Sequence, residues 1–498
     1  MDRRRFLQSS VAAGVTAALP TAQALAALQA LTQVSGDVLA VTGERTERSL
    51  ERAAVQELAD SLRGNLLLPG NEGYDQARRV LNDSIDRYPA LIVQPTGVAD
   101  IQSAVTFAAE RQLLLAVKCG GHSYAGKSTC DRGMQIDLSM FRHCRVDPAS
   151  KTAYVAGGSL LGDLDHEAMA HELVTTAGTV SHTGVGGLTL GGGFGRLARR
   201  YGLALDNVKA VEIVTADGRL QRASASENPD LYWGVRGGGG NFGIVTSFEF
   251  QLHPMQRTVI GGDIVYPLDR ARDVLRFYAD FAQSAPDDLY TDAVLVSTPT
   301  GEGSAALIHV CYSGPASESD AVLAPLKKLG KPVFSSVGPV DYVALQKSWD
   351  ETDPRNNGEY LKSGFVNGFP DAMLDAIAGG IEPDPRRQTM VFFQQSGGAI
   401  GRVPVEATAF PHRKSAAAIG AFTSWPIGSD GGPHIDYLRQ YWSSIAPFTD
   451  GYYTNDSANE PQAQVNTNYQ GNFPRLMQVK KKYDPGNLFR LNANIAPA

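Results

Sequence analysis

Trp233-Gly234-Val235-Arg236-Gly237-Gly238-Gly239-Gly240-Asn241-Phe242-Gly243 runs directly into Ile244-Val245-Thr246-Ser247-Phe248-Glu249-Phe250, and this junction decides the fold. Gly238, Gly240 and Gly243 spell a literal GxGxxG. In a nicotinamide-dinucleotide fold that pattern follows a strand and opens a helix. Here it leads into a segment of β-branched and aromatic residues, which is a strand by composition. The dinucleotide fold fails on context. The chain also lacks a Walker lysine loop, an HExxH and a GxSxG.

Two more glycine loops lie upstream. Lys118-Cys119-Gly120-Gly121-His122-Ser123-Tyr124-Ala125-Gly126 follows an apolar run at residues 113–117. Adjacent glycines after a strand turn backbone N–H groups outward, an arrangement that favours a pyrophosphate. Ala177-Gly178-Thr179-Val180-Ser181-His182-Thr183-Gly184-Val185-Gly186-Gly187 continues into Gly191-Gly192-Gly193-Phe194-Gly195. Glycines clustered in this way mark backbone that passes very close to something.

Around these loops the chain divides by texture. Leu50, Ala54, Leu58 and Leu62 predict an amphipathic helix over residues 48–62. An apolar run at 90–93, a helical stripe on Ile101, Ala104, Val105 and Ala108, and the run at 113–117 read as a parallel strand–helix–strand crossover. Residues 208–215 and 244–250 are further strands. After Pro254 the glycine clusters vanish, and strands near 261–266, 293–297 and 306–312 alternate with helical stretches. From about Tyr452 the glycine- and asparagine-rich texture returns. The expected domains are therefore 45–255 and 451–498 as one cofactor unit, with a substrate domain inserted over 256–450.

A chain of 498 residues exceeds one ordinary core and predicts two or three lobes. Its 43% hydrophobic and 19% charged residues suit a globular protein. A net charge of −7 argues against nucleic acid and anionic membranes as partners. Four cysteines without CxxC spacing argue against a zinc ribbon or redox dithiol; a disulfide is open, its pairing undefined. No segment after the N-terminus reaches the roughly 20 apolar residues of a membrane span. Arg3-Arg4-Arg5-Phe6-Leu7-Gln8 precedes an alanine-rich run and Pro20. That is the pattern of a twin-arginine signal, expected over residues 1–30, whose machinery exports folded proteins to the periplasm or beyond.

The three loops in this order resemble the bacterial berberine-bridge-enzyme-like branch of the vanillyl-alcohol-oxidase, PCMH-type FAD-binding superfamily. So do Tyr201-Gly202-Leu203-Ala204-Leu205-Asp206-Asn207-Val208 and the ending Tyr483-Asp484-Pro485-Gly486-Asn487-Leu488-Phe489-Arg490-Leu491-Asn492-Ala493-Asn494-Ile495. The resemblance covers nearly everything after residue 60. It implies an α+β fold, a two-lobed FAD-binding domain with an inserted substrate domain built on an antiparallel sheet with helices.

Carried over by motif, His122 is the histidine bonded to the flavin 8α-methyl group, with Cys119, Gly120, Gly121, Ser123 and Tyr124 beside it. The second loop contributes Gly178, Thr179, Val180, Thr183, Gly184 and Gly187, followed by Gly192 and Gly193. Gly243, Ile244 and Val245 come from the third loop, and Asn455, Asn492 and Asn494 from the C-terminal stretch. Some members add a second bond from a cysteine where this chain has Val180, so a single covalent bond is expected. His182 is two residues off that position and reads as a loop histidine near the ring. Thr183 falls at the position resembling the oxygen gate; its small β-branched side chain favours oxidase over dehydrogenase.

Removing a hydride from an alcohol also requires a group that takes the hydroxyl proton. Tyr452-Tyr453-Thr454-Asn455-Asp456 resembles a Tyr-x-Asn pattern that ends in a tyrosine base; here that position is Asp456. A partly desolvated carboxylate is a competent base, yet Asp after Asn is also a common turn pair. Both readings stand at this point, with Tyr453 as the other candidate. In Met390-Val391-Phe392-Phe393-Gln394-Gln395-Ser396-Gly397-Gly398, period two puts Phe392 and Gln394 on one face and Phe393 and Gln395 on the other. Gln394 is expected to line the substrate. Phe410-Pro411-His412-Arg413 reads as structural, and Lys480-Lys481-Lys482 as a solvated helix face.

The expected activity is FAD-dependent oxidation of a small hydroxyl-bearing substrate, carbohydrate or aromatic, with O2 reduced to H2O2. Oxidative cyclisation, amine oxidation as in 6-hydroxynicotine oxidases, and a dehydrogenase using another acceptor are the alternatives within enzymes. A flavin-binding protein without turnover is the alternative outside them.

Overall fold

The computed structural model describes residues 33–350 and 356–498; the twin-arginine stretch lies outside them. Among the described residues no helix is long and apolar enough to cross a membrane.

The crossover forms as its pattern requires. Leu91–Gln94 and Leu115–Lys118 run the same way, joined by the helix Val98–Glu110 with Ile101, Ala104, Val105 and Ala108 buried. They are not neighbours, however. Met134–Asp137 lies between them, parallel to both, and Asn65–Leu67 adds an antiparallel edge. Residues 48–62 do not form one helix. Glu47–Leu50 pairs as a strand with Val38–Val41, so Leu50 is buried from a hairpin and the helix is confined to Arg52–Ser61.

A second lobe holds an antiparallel sheet of five strands in the order Leu220–Ser224, Val208–Val214, Ile244–Gln251, Thr152–Ala156, Cys144–Asp147. Gly243 turns into the third of these strands at φ +153°, where a Cβ would lie 2.4 Å from the Val214 carbonyl oxygen. Only glycine fits there. The segment after the third loop is thus a strand, as its composition requires.

Residues 258–426 build an antiparallel sheet of eight strands. Its long strands lie in the order Thr258–Pro267, Ala305–Tyr312, Leu289–Ser297, Gln388–Gln395, Ala417–Pro426, Asn357–Val366. Strand alternation gives the sheet two chemistries. Leu295, Ile308, Val391 and Phe393 pack into a core with the helices Ala271–Ser284, Asp371–Gly380 and Gly432–Ile445. Burying each side chain of this size contributes roughly 1.5–3 kcal/mol. The opposite face, with Val294, Val296, Leu307, Met390, Phe392 and Gln394, borders a cavity.

The C-terminal helix Phe473–Tyr483 returns to the helix Pro229–Val235 of the second lobe. Lys480 departs from the expected solvated face: it is fully buried, and its ammonium donates to the Asn241 carbonyl at 2.8 Å, the Phe489 carbonyl at 3.0 Å and Asp484 at 2.6 Å. This cation and the Asn241 side chain, which donates to the Ala493 carbonyl and accepts from the Ile495 N–H at 3.0 Å each, hold the third glycine loop to the C-terminal motif, while Lys481 and Lys482 are exposed. Arg413 is structural as expected. Fully buried, it donates from both terminal nitrogens to Asp206 at 2.7 and 2.8 Å.

Candidate active site

A cavity of about 570 Å³ opens where the glycine loops, the bare face of the large sheet and residues 453–456 meet. The first two loops touch backbone to backbone: a Cβ on Gly120 would lie 2.4 Å from the Gly184 nitrogen. At Gly187 a Cβ would meet nothing within 4 Å. This bare main chain leaves room and N–H groups for a flat, anionic ligand.

Cys119, Gly120, Gly121, His122, Ser123 and Tyr124 of the first loop line the cavity. From the second loop come Gly178, Thr179, Val180, Thr183, Gly184 and Gly187, and from the third Gly243, Ile244 and Val245. Tyr453, Asn455, Asp456 and Asn492 complete that wall, and Gln394 lines the cavity from the sheet. Three residues expected at the cofactor lie elsewhere. Gly192 and Gly193 stand behind the wall, where they seat Tyr453: the Gly193 N–H donates to the Tyr453 hydroxyl oxygen at 2.8 Å, and a Cβ on Gly192 would meet the Tyr453 ring at 3.0 Å. Asn494 does not line the cavity, and its backbone carbonyl accepts from Gln462 at 2.8 Å. All four cysteines are unpaired. Burial pushes the Cys119 thiol up to about 11, only partly offset by the Gly186 and Gly120 N–H groups, so it stays a thiol and a poor nucleophile.

The His122 ring is held from behind, its Nε2 lying 2.8 Å from His182 Nδ1. His182 in turn lies 3.4 Å from the Asp350 carbonyl through Nε2, and the Asp350 carboxylate accepts from the Ser181 N–H at 2.7 Å and hydroxyl at 2.6 Å. The inserted domain thus clamps the second loop.

Tyr453 and Asp456 differ sharply. The Tyr453 oxygen accepts from Gly193 and, at 2.9 Å, from the Asn455 amide, and its ring stands edge-on to Phe194. Burial raises its pKa well above the usual phenol range. Asp456 resolves the choice between turn and open carboxylate by being both. Its backbone N–H closes a turn on the Tyr453 carbonyl at 3.0 Å, while its side chain faces the cavity. Among the described residues nothing donates to that carboxylate, and burial alone pushes it up to about 7. A carboxylate titrating near neutrality in a cavity can take a proton. Among the described residues Gln394 Oε1 is buried without a partner, an acceptor open to a donor.

Three polar residues on the sheet escaped the sequence reading. Asp263, His309 and Asp292 are register partners across three adjacent strands. His309 donates from Nδ1 to Asp263 at 2.7 Å and accepts on Nε2 from Arg196 at 2.9 Å. Burial and the Arg196 charge, against the pull of Asp263, lower its pKa to about 4, so it stays neutral. Burial raises Asp292 to about 7, opposed by its hydrogen bonds from the Tyr290 hydroxyl and the Gln395 N–H. Both carboxylates line the cavity. The available signal was a charged residue inside an otherwise apolar strand, as in Thr291-Asp292-Ala293-Val294-Leu295.

This geometry joins a glycine-lined cradle to a wall bearing carboxylates, and the chain is similar to known proteins along most of its length. The FAD binding domain family matches residues 89–224, and the Berberine and berberine like family matches residues 452–496. An FAD-linked oxidoreductase of Dictyostelium discoideum is 32% identical over 449 residues, spanning 89% of this chain and 97% of that protein. The chain belongs to the berberine-bridge-enzyme-like family of FAD-linked oxidoreductases. It is also similar to (R)-6-hydroxynicotine oxidase of Paenarthrobacter nicotinovorans, 28% identical with 88% and 97% of the two chains covered. Among solved structures, 6-hydroxy-D-nicotine oxidase of Arthrobacter nicotinovorans superposes with a TM-score of 0.80 at 27% identity, covering 88% of this chain and 99% of that one. Xylooligosaccharide oxidase of Myceliophthora thermophila gives 0.78 at 25%, covering 89% and 99%. The α+β architecture, with its FAD domain and inserted antiparallel sheet, is thus a family property. This oxidoreductase uses FAD, which supplies the two-electron acceptor when bound.

Proposed function

We propose that this oxidoreductase carries FAD on a single covalent bond from His122 and oxidises a hydroxyl-bearing carbon of a small carbohydrate or aromatic alcohol. Asp456 takes the hydroxyl proton, the hydride leaves the carbon, and O2 receives the two electrons as H2O2. The observation that carries this reading is Asp456 itself, a cavity carboxylate with no donor among the described residues and pushed up by burial to about 7, beside a tyrosine whose oxygen is already engaged twice. Gln394, Asp263 and Asp292 offer acceptors for substrate hydroxyls. Val180, standing where a second link would need cysteine, supports one bond. Thr183, small and on the cavity wall, supports access of O2 to the flavin.

Amine oxidation is the second reading. Three carboxylates around one cavity suit a protonated amine, and a hydroxynicotine oxidase is among the relatives. The arginine-rich start supports export through the twin-arginine machinery, to the periplasm or beyond. Anaerobic mixing with sugars, phenolic alcohols and amines tests the activity. An alcohol or sugar should bleach the flavin, and air should restore the colour with one H2O2 per turnover. Bleaching by amines alone selects the second reading; recovery only with an artificial acceptor excludes O2.

A further inference from the structure

The hydrogen-bonded pair behind the first glycine loop has a direction. The Asp350 carbonyl can only accept, so the Nε2 of His182 facing it carries a proton and His182 Nδ1 presents a lone pair. His122 Nε2, 2.8 Å from that lone pair, must then donate. This leaves the lone pair of His122 on Nδ1, the nitrogen 3.5 Å from the Thr183 hydroxyl. Loop packing keeps the chain in register: Ser181 is tied to the Asp350 carboxylate by two hydrogen bonds, and the two imidazole rings lie 4.8 Å apart.

We infer that His182 is the residue that makes His122 a nucleophile toward the flavin, by orienting its ring and accepting its Nε2 proton as the covalent bond forms. This rests on the covalent reading above. As His122 Nδ1 bonds to the 8α carbon, that carbon loses one proton and His122 passes its Nε2 proton to His182 Nδ1. The two electrons remaining on the ring system pass to O2 with two protons, so that FAD, His122 and O2 yield histidyl-FAD and H2O2. An imidazole that can shed a proton as it attacks is a stronger nucleophile than one that must become and remain a cation, the logic of any nucleophile–base pair. His182 does not line the cavity, so its part is played through His122.

The readout is acid-stable flavin, independent of turnover. Full-length protein produced under riboflavin limitation would be given FAD, and flavin surviving acid precipitation followed with time. His182→Ala removes the acceptor. His182→Asn places an oxygen near the position of Nδ1, keeping the hydrogen bond but taking no proton, and preserves loop packing should the alanine variant misfold. Both should bind FAD yet attach it at least about tenfold more slowly, the lower part of the range for a lost general base being roughly 10²-fold. Added imidazole should accelerate His182→Ala. Attachment within about threefold of wild type in either variant overturns the inference. A wild type whose flavin is released entirely by acid overturns the covalent reading instead, and the two failures are told apart by which protein shows them.

Discussion

The two walls of the cavity are built on opposite principles. On the glycine-loop wall the chemistry lies in the main chain. Gly120 meets Gly184 so closely that no side chain fits, and the residues that shape it come in short runs, each consecutive in sequence. On the sheet wall the chemistry lies in side chains projected from separate strands: Asp263 and Asp292 flank His309 only through register, and Gln394 reaches the cavity from a fourth strand. The first wall is made to hold one cofactor and tolerates little change. The second can exchange side chains without disturbing the sheet, whose other face carries the core. On the proposed function, the loops hold the cofactor and the sheet selects the substrate.

Substitutions can break that division. The largest stability effect is expected where the loops are anchored. Lys480→Ala strands Asp484 without its buried partner and releases the Asn241 carbonyl, which should cost about 3–5 kcal/mol in denaturant unfolding and loosen the flavin. Gly120→Ala forces backbone apart and should cost roughly 1–3 kcal/mol or more, with flavin content falling in purified protein. Asp263→Asn should leave flavin content and melting temperature nearly unchanged. It should weaken substrate binding by about 10- to 100-fold, the worth of a charged hydrogen bond, in anaerobic titration. If it instead expels flavin, the walls are not separable. Lys481→Ala, one residue from the anchor but exposed, should stay within about 0.5 kcal/mol of wild type.

The same division explains what could be read from the sequence. The loops were legible because a glycine run followed by a strand is a local statement. His122, Thr183 and Gly243 were placed by motif, and each borders the cavity. Strand alternation correctly separated Gln394 from Phe393, since period two needs no partner. Asp263 and Asp292 were missed because their meaning depends on which strands pair, and the apolar residues around them masked their inward direction. Gly192, Gly193 and Lys480 failed for the converse reason: a glycine beside the cavity and one seating a tyrosine look alike in sequence, as do a buried and a solvated lysine in a row of three. His182 read as an incidental loop residue because its partner is 60 positions away.

The central claim is that Asp456 takes the substrate proton. Stopped-flow reduction of the flavin by an active substrate, followed from pH 5.5 to 8.5 in wild type and Asp456→Asn, tests it directly. Since burial raises this carboxyl to about 7, and only its ionised form accepts a proton, wild-type reduction should accelerate as pH rises and level off above that value. The asparagine variant should retain its flavin, lose this acid limb and reduce roughly 10²–10⁴-fold more slowly. Reduction within about threefold of wild type (well under 1 kcal/mol of barrier), with the acid limb intact, would contradict the account and leave Asp456 as a residue that merely closes a turn.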